Sequence, residues 1–242
     1  MACVETPFLD GRVTIWQPEA GFRFSADALW LAHFVLQETT HRGSFVELGV
    51  GSGIVSTLLL RAGFAAGEGV ELDSEMVQCA KATFRANGLE TRYGLVEGDL
   101  RRISEFLPAG KVPLVVANPP YYPVGVGRLS PAPAVARARH ELACTLIDVL
   151  TSSRYLLPSG GYRAVVSPVS RLPELMRHLP ENKLSPVVLR LVQPRHDEGA
   201  SHALLLARKG TRGTLVVRPP LVTHLDEGGY GPWYRVLTEL VL

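Results

Sequence analysis

Residues 44–53 read Ser-Phe-Val-Glu-Leu-Gly-Val-Gly-Ser-Gly, and this stretch decides the fold. Ser44–Leu48 is an apolar run of strand length, and Gly49, Gly51 and Gly53 follow at alternate positions. Such glycines let the chain turn sharply and let a ligand approach the backbone without Cβ collisions. A helical apolar pattern, Ile54–Ala62, opens directly behind them. Strand, glycine turn and helix in that order begin a βαβ unit whose ligand sits at the strand's carboxyl end. A dinucleotide-binding G-x-G-x-x-G would place its third glycine one residue later and carry no acid before the first. Here Glu47 precedes the loop, and a carboxylate suits a ligand with a cationic amino-acid end better than a pyrophosphate.

Working outward, the alternation continues. Strands are expected at 69–72, 93–97 and 113–117, and a helix over Ser74–Asn87 is closed by Asn87-Gly88 as a left-handed stop. Upstream, Ser25 can cap a helix over Ala26–Gln37, and residues 4–24 read as short extended segments with turns at Asp10-Gly11 and Glu19-Ala20-Gly21. Downstream, a Pro/Gly-rich loop (123–133) precedes a helix over 142–157 and a strand over 161–167. Leu184–Val192 and Ala203–Ala207 form an antiparallel hairpin at the sheet edge, and residues 215–242 read as a strand-like Leu-Val-Val followed by Pro219-Pro220 and a short terminal helix. This pattern implies an α/β fold with a mostly parallel sheet covered on both faces.

Composition sets the frame. The 242 residues are 46% apolar and 20% charged, which fits one globular domain with an extension and excludes a disordered or collagen-like chain. Cys3, Cys79 and Cys144 are odd in number and far apart, so neither a disulfide framework nor a metal site is expected. No run approaches the ~18 apolar residues of a membrane helix, and the N-terminus lacks the layout of a secretion signal. A cytoplasmic location is the default. Residues 1–121 carry 10 Lys and Arg against 14 Asp and Glu, so the excess of basic residues lies in the second half. A basic half can attract a polyanion, although solvated charge is the blander explanation.

Two further acids fall at strand ends. Glu71 ends the second strand, where a ribose diol would accept a carboxylate, and Asp99 ends the third, where it can receive a proton of an adenine amine. Leu72 and Leu100 follow these acids and can sandwich the purine between them. Glu47, the three glycines, Glu71 and Asp99 on three successive strand ends point to S-adenosylmethionine (SAM). The plain alternatives are a helix entry, a surface acid and a helix cap.

The fourth strand ends in Asn118-Pro119-Pro120-Tyr121-Tyr122. Two prolines stop the ladder and remove backbone donors while leaving carbonyl acceptors. The Asn118 side-chain carbonyl and the Pro119 carbonyl can each accept one N–H of an exocyclic NH2. That draws the nitrogen out of conjugation and frees its lone pair, while Tyr121 offers a stacking face.

With these residues in place, the chain resembles a class I SAM-dependent methyltransferase of the Asn-Pro-Pro-Tyr group. More narrowly it is similar to the bacterial valine-tRNA adenine-N6 methyltransferases, which modify the adenine beside the anticodon. The resemblance covers Phe22–Ala32, the glycine loop, Asn118–Tyr122, Ala138-Arg139-His140-Glu141, Ala203–Gly210 and Pro219-Pro220-Leu221. It implies a Rossmann-like fold with a seven-stranded sheet, a catalytic domain over 44–242 and an N-terminal extension, 1–43, packed on it. It also implies cofactor contacts from Glu47, Gly49, Gly51, Gly53, Glu71, Leu72, Asp99 and Leu100, and amine contacts from Asn118, Pro119 and Tyr121. Tyr122, Arg128, Arg137, Arg139 and His140, after the motif, are candidates for RNA contact. In related enzymes the same four residues serve guanine-N2 methylation of ribosomal RNA and glutamine methylation of release factors. A SAM-fold module that binds RNA without turnover is the non-enzymatic alternative.

Overall fold

The computed structural model describes residues 3–20, 23–119, 144–211 and 213–241. Two antiparallel strands come first, β1 (Cys3–Phe8) and β2 (Val13–Pro18), turned through Leu9, Asp10 and Gly11 at positive φ. Helix α1 (Ala26–Glu38) leads into β3 (Ser44–Leu48), α2 (Ile54–Arg61), β4 (Ala66–Glu71), α3 (Ser74–Ala86), β5 (Tyr93–Glu97) and β6 (Leu114–Ala117). After these come α4 (Leu146–Leu156), β7 (Tyr162–Pro168), α5 (Leu172–His178), β8 (Leu184–Gln193), β9 (His202–Lys209), β10 (Val216–Val222) and α6 (Pro232–Leu240).

Strands β3 to β10 form one sheet in the order β10-β8-β9-β7-β6-β3-β4-β5. The chain moves outward from β3 through β4 to β5, then returns to place β6 on the other side of β3. Between β3 and β6 the direction of winding reverses, the place at whose carboxyl ends open α/β sheets take their ligands. The β3 and β6 ladder pairs Leu48 with Ala117, so the glycine loop and Asn118 leave the sheet side by side.

The central strands are buried on both faces, which is why β6 reads Leu-Val-Val-Ala without a polar residue. Alternate residues serve two cores. Phe45, Leu114 and Val116 pack with α1 and α2, whereas Val46, Val115 and Ala117 pack with α4 and α5. Asp73 caps α3 by accepting the Glu75 amide at 2.9 Å, and Thr145 and Asp148 form a reciprocal capping box on α4.

Four expectations are corrected. The sheet has eight strands, not seven, because β10 adds parallel to β8 outside the hairpin. The β8–β9 hairpin therefore lies inside the sheet. Pro219-Pro220 belong to β10 itself, at a register shift between Arg218 and Leu221; an edge strand tolerates prolines because its outer side has no ladder to complete. Finally, Cys3 and Cys79 are joined by a disulfide, with Cα atoms 5.7 Å apart across 76 residues of chain. Separation in sequence hid a pair that the docking of β1 and β2 on α3 brings together. Asn87 reinforces that docking by donating to Thr14 O at 2.7 Å and accepting the Thr14 amide at 3.2 Å, and Trp16 N donates to Thr83 Oγ1 at 2.8 Å.

Thiol titration of the denatured, unreduced chain is expected to find Cys144 alone, and reduction to expose Cys3 and Cys79 as well. Reduction should lower unfolding stability by about 2–4 kcal/mol. Three free thiols before reduction would show that the pair is not formed.

Candidate active site at the carboxyl ends of the strands

The glycine loop is held from beneath and from one side. Gly49 N donates to Val70 O at 2.9 Å, which continues the β3–β4 ladder one step past the strand. Gly49 and Gly51 stand at φ +77° and +57°, and a Cβ built on either would meet nothing within 4 Å. Both requirements of a ligand cradle are present there, a backbone that only glycine adopts without strain and open space above it. Gly53 differs, because α3 presses Phe84 against it from below.

Glu71 ties the loop to the next strand. Its carboxylate accepts the Gly51 amide at 2.8 Å and the Asp73 amide at 2.9 Å. Burial pushes the Glu71 carboxyl above its usual range, and these backbone donors oppose the rise. Carboxylate oxygens have two lone pairs each, so Glu71 can hold the loop and still accept hydroxyl donors from the cleft.

Glu47 lies underneath. It is 2% exposed and accepts from the Ser56 amide at 3.1 Å and from the Ser56 hydroxyl, which itself lies 2.8 Å from Tyr93 Oη. Ser56 stands in the first turn of α2, so Glu47 satisfies that helix's free amide end. Burial raises the Glu47 pKa to about 8 against the lowering by the Ser56 hydrogen bonds, which leaves the group mostly neutral at pH 7. The sequence expected a carboxylate facing a cationic ligand; the structure places this one in the support of the loop. Ser56 and Tyr93 were not among the candidates, because their meeting with Glu47 depends on α2 and the Tyr93 side chain of β5 lying on the same face of the sheet.

Asp99 follows β5 and caps a short 3-10 turn, Leu100–Glu105, by accepting the Arg101 amide at 2.9 Å. The Arg101 guanidinium is forked onto the same carboxylate, with Nε 2.8 Å from Oδ2. That pairing holds the Asp99 carboxyl below its usual range. The two leucines part company. Leu72 stands 46% exposed at the end of β4, whereas Leu100 is buried in the α4 core, so Leu72 alone presents a broad apolar surface.

Asn118 is half-buried and Pro119 buried just past the end of β6, next to the strand end from which Gly49 departs. Tyr121, Tyr122, Arg128, Arg137, Arg139 and His140 lie outside the described residues. Among the described residues, no group of three or more His, Cys, Asp or Glu side chains is placed to hold a metal. No described helix is long and apolar enough to cross a membrane. Two basic residues of the second half serve packing: Arg208 donates to Gly160 O at 3.0 Å and lies over the Tyr162 ring, and Lys209 donates to Arg154 O at the end of α4.

The open glycine cradle, the carboxylates of Glu71 and Asp99 and the exposed Leu72 fit the SAM that the sequence implies. Comparisons with known proteins bear on the same region. The chain is 27% identical over 201 residues to a Porphyromonas gingivalis protein named tRNA1(Val) (adenine(37)-N6)-methyltransferase, covering 80% of this chain and 77% of that one. It is 29% identical over 196 residues to the protein of that name from Aeromonas salmonicida, covering 80% of each. Among solved structures it superposes on a predicted O-methyltransferase of Agrobacterium tumefaciens with a TM-score of 0.71 at 23% identity, over 89% of this chain and 96% of that one. A geranyl diphosphate C-methyltransferase of Streptomyces coelicolor, solved with S-adenosyl-L-homocysteine (SAH), superposes with a TM-score of 0.57 at 14% identity, over 75% of this chain and 77% of that one. These superpositions establish the fold. The family model of the methyltransferase small domain matches residues 24–178, well over half of the sequence, and the chain belongs to that family.

Proposed function

We propose that this protein is a SAM-dependent methyltransferase acting on N6 of an adenine in tRNA, in the anticodon loop. The observation that carries the reading is the pairing of β3 with β6, which sets Asn118-Pro119 beside an open glycine cradle flanked by strand-end carboxylates. The relatives named as tRNA adenine-N6 methyltransferases support the substrate, and the neighbour solved with SAH supports the cofactor. A tRNA substrate also favours a cytoplasmic location.

SAM supplies the methyl group. The chain's part is to hold and orient. Glu71 receives the ribose hydroxyls, Asp99 the purine edge, and Leu72 covers one face of the ring. The Asn118 side-chain carbonyl and the Pro119 carbonyl each accept an N–H of the target amine and fix its lone pair toward the glycine loop. Tyr121 stacks on the base, and Tyr122, Arg128, Arg137, Arg139 and His140 contact the surrounding RNA. An extruded base from a loop enters such a pocket at least cost, because it gives up no duplex pairing. Positioning of this kind carries most of the rate, and no strong base is needed because the methylated nitrogen sheds its proton readily.

Transfer of labelled methyl from SAM to total RNA lacking the modification tests the reading. Label is expected in N6-methyladenosine; label in guanosine or in protein would refute the substrate. Asn118→Ala should lower turnover by at least about 100-fold while SAH affinity, read by calorimetry, stays within a few-fold. Tyr121→Ala should likewise weaken turnover far more than SAH binding.

Glu47 has a separate signature. Its unfolded carboxyl ionises near 4.5 and its folded one near 8, so the folded state keeps a proton that the unfolded state has lost. Stability from this group is full below pH 4.5 and falls as pH rises toward 8. Melting temperature followed across that range should show the fall, and Glu47→Gln should flatten it while keeping SAH affinity.

A further inference from the structure

Asp99 is the residue assigned to the purine edge, yet its carboxylate is already engaged. Oδ1 accepts the Arg101 amide at 2.9 Å and Arg101 Nε at 3.0 Å. Oδ2 accepts Arg101 Nε at 2.8 Å and a terminal guanidinium nitrogen. A carboxylate offers about four lone-pair sites. Three N–H groups of one neighbouring residue are spread over them, with Nε bridging both oxygens, and an adenine N6–H has to compete with that guanidinium for the carboxylate.

The engagement is reversible by its nature. The Arg101 side chain is 52% exposed and that of Asp99 20% exposed, and ion pairs with such access to solvent contribute little. A second carboxylate stands within electrostatic reach of Arg101, that of Asp148 in the first turn of α4. Both hydrogen bonds that Asp148 accepts from Thr145, from the amide at 2.8 Å and the hydroxyl at 2.9 Å, fall on Oδ2. Helix α4 is the helix that precedes β7, and it packs on the 3-10 turn that Asp99 caps, where the Ser152 hydroxyl donates to Leu100 O at 2.8 Å. Arg101 is thus bordered by the purine subsite on one side and by the start of α4 on the other.

We propose that Arg101 occupies the purine subsite until the cofactor enters, that the adenine amine displaces it from Asp99, and that Asp148 receives it. Arg101 is then a positioning residue that selects for a donor on the purine edge. Only a ring carrying an exocyclic N–H replaces the hydrogen bonds that Asp99 loses, so a 6-oxo purine pays for the displacement without compensation. The inference rests on the cofactor reading of the preceding subsection.

SAH binding measured by calorimetry tests it without turnover. At low ionic strength Arg101→Ala should bind SAH about two- to fivefold more tightly than the unmodified protein, since an exposed pair no longer has to be opened. Toward 1 M salt the two affinities should converge as the pair is screened. Asp148→Asn keeps a cap acceptor and removes the charge; it should weaken SAH binding in the otherwise unmodified protein and leave the Arg101→Ala affinity unchanged. Equal or weaker SAH binding by Arg101→Ala overturns the displacement and leaves the cofactor reading standing. An unchanged affinity in Asp148→Asn overturns the second station for Arg101. Failure of every protein to bind SAH overturns the cofactor reading and this inference with it.

Discussion

The Glu71 carboxylate, accepting the Gly51 amide at 2.8 Å and the Asp73 amide at 2.9 Å, is the contact on which the cleft depends. It joins the end of β4 to the middle of the glycine loop and to the cap of α3 in one stroke. A loop with glycines at positive φ has many conformations available in the unfolded chain, and a fixed acceptor selects one of them. Glu47 acts from below on the same loop by engaging Ser56 in the first turn of α2. Two acids thus hold the loop between two helices and two strands while its upper surface stays open.

The division between these acids is an electrostatic one. Both are pushed toward the neutral form by burial, but Glu47 has mainly Ser56 to oppose that push, whereas Glu71 receives two backbone donors and stands nearer the cleft. A mostly neutral Glu47 supports the loop from beneath through Ser56. Asp99 is the opposite case, a solvent-accessible carboxylate held charged by its neighbour Arg101. Three acids that look equivalent as letters at strand ends have three different jobs because their surroundings differ.

The position of the site follows from topology. β3, β4 and β5 wind one way and β6 the other, so the glycine loop and Asn118-Pro119 leave the sheet together past a ladder that pairs Leu48 with Ala117. The cost of assembling this site is shared with the two cores, since β3 beyond Ser44 and the whole of β6, which carry the glycine loop and Asn118, are buried and would form for packing reasons alone. The N-terminal hairpin is fastened to α3 by Asn87 and by Cys3–Cys79, on the helix that Asp73 begins.

The sequence alone determined the fold class, the strand ends on which the acids stand and the end of β6 at Asn118-Pro119. Each is a local pattern of period, glycine, proline or charge read over a few residues. Tertiary structure decided what local patterns do not contain. The Cys3–Cys79 bond and the contact of Glu47 with Ser56 and Tyr93 join residues whose separation in the chain says nothing of their distance in space. The Leu-Val-Val at 215–217 reads as strand-like, but its place as an eighth strand running on through Pro219-Pro220 does not, because two prolines read as an end and are accommodated only at a sheet edge. Whether a carboxylate faces a ligand, a helix or an arginine is likewise set by burial and by neighbours, and these exist only once the chain has packed.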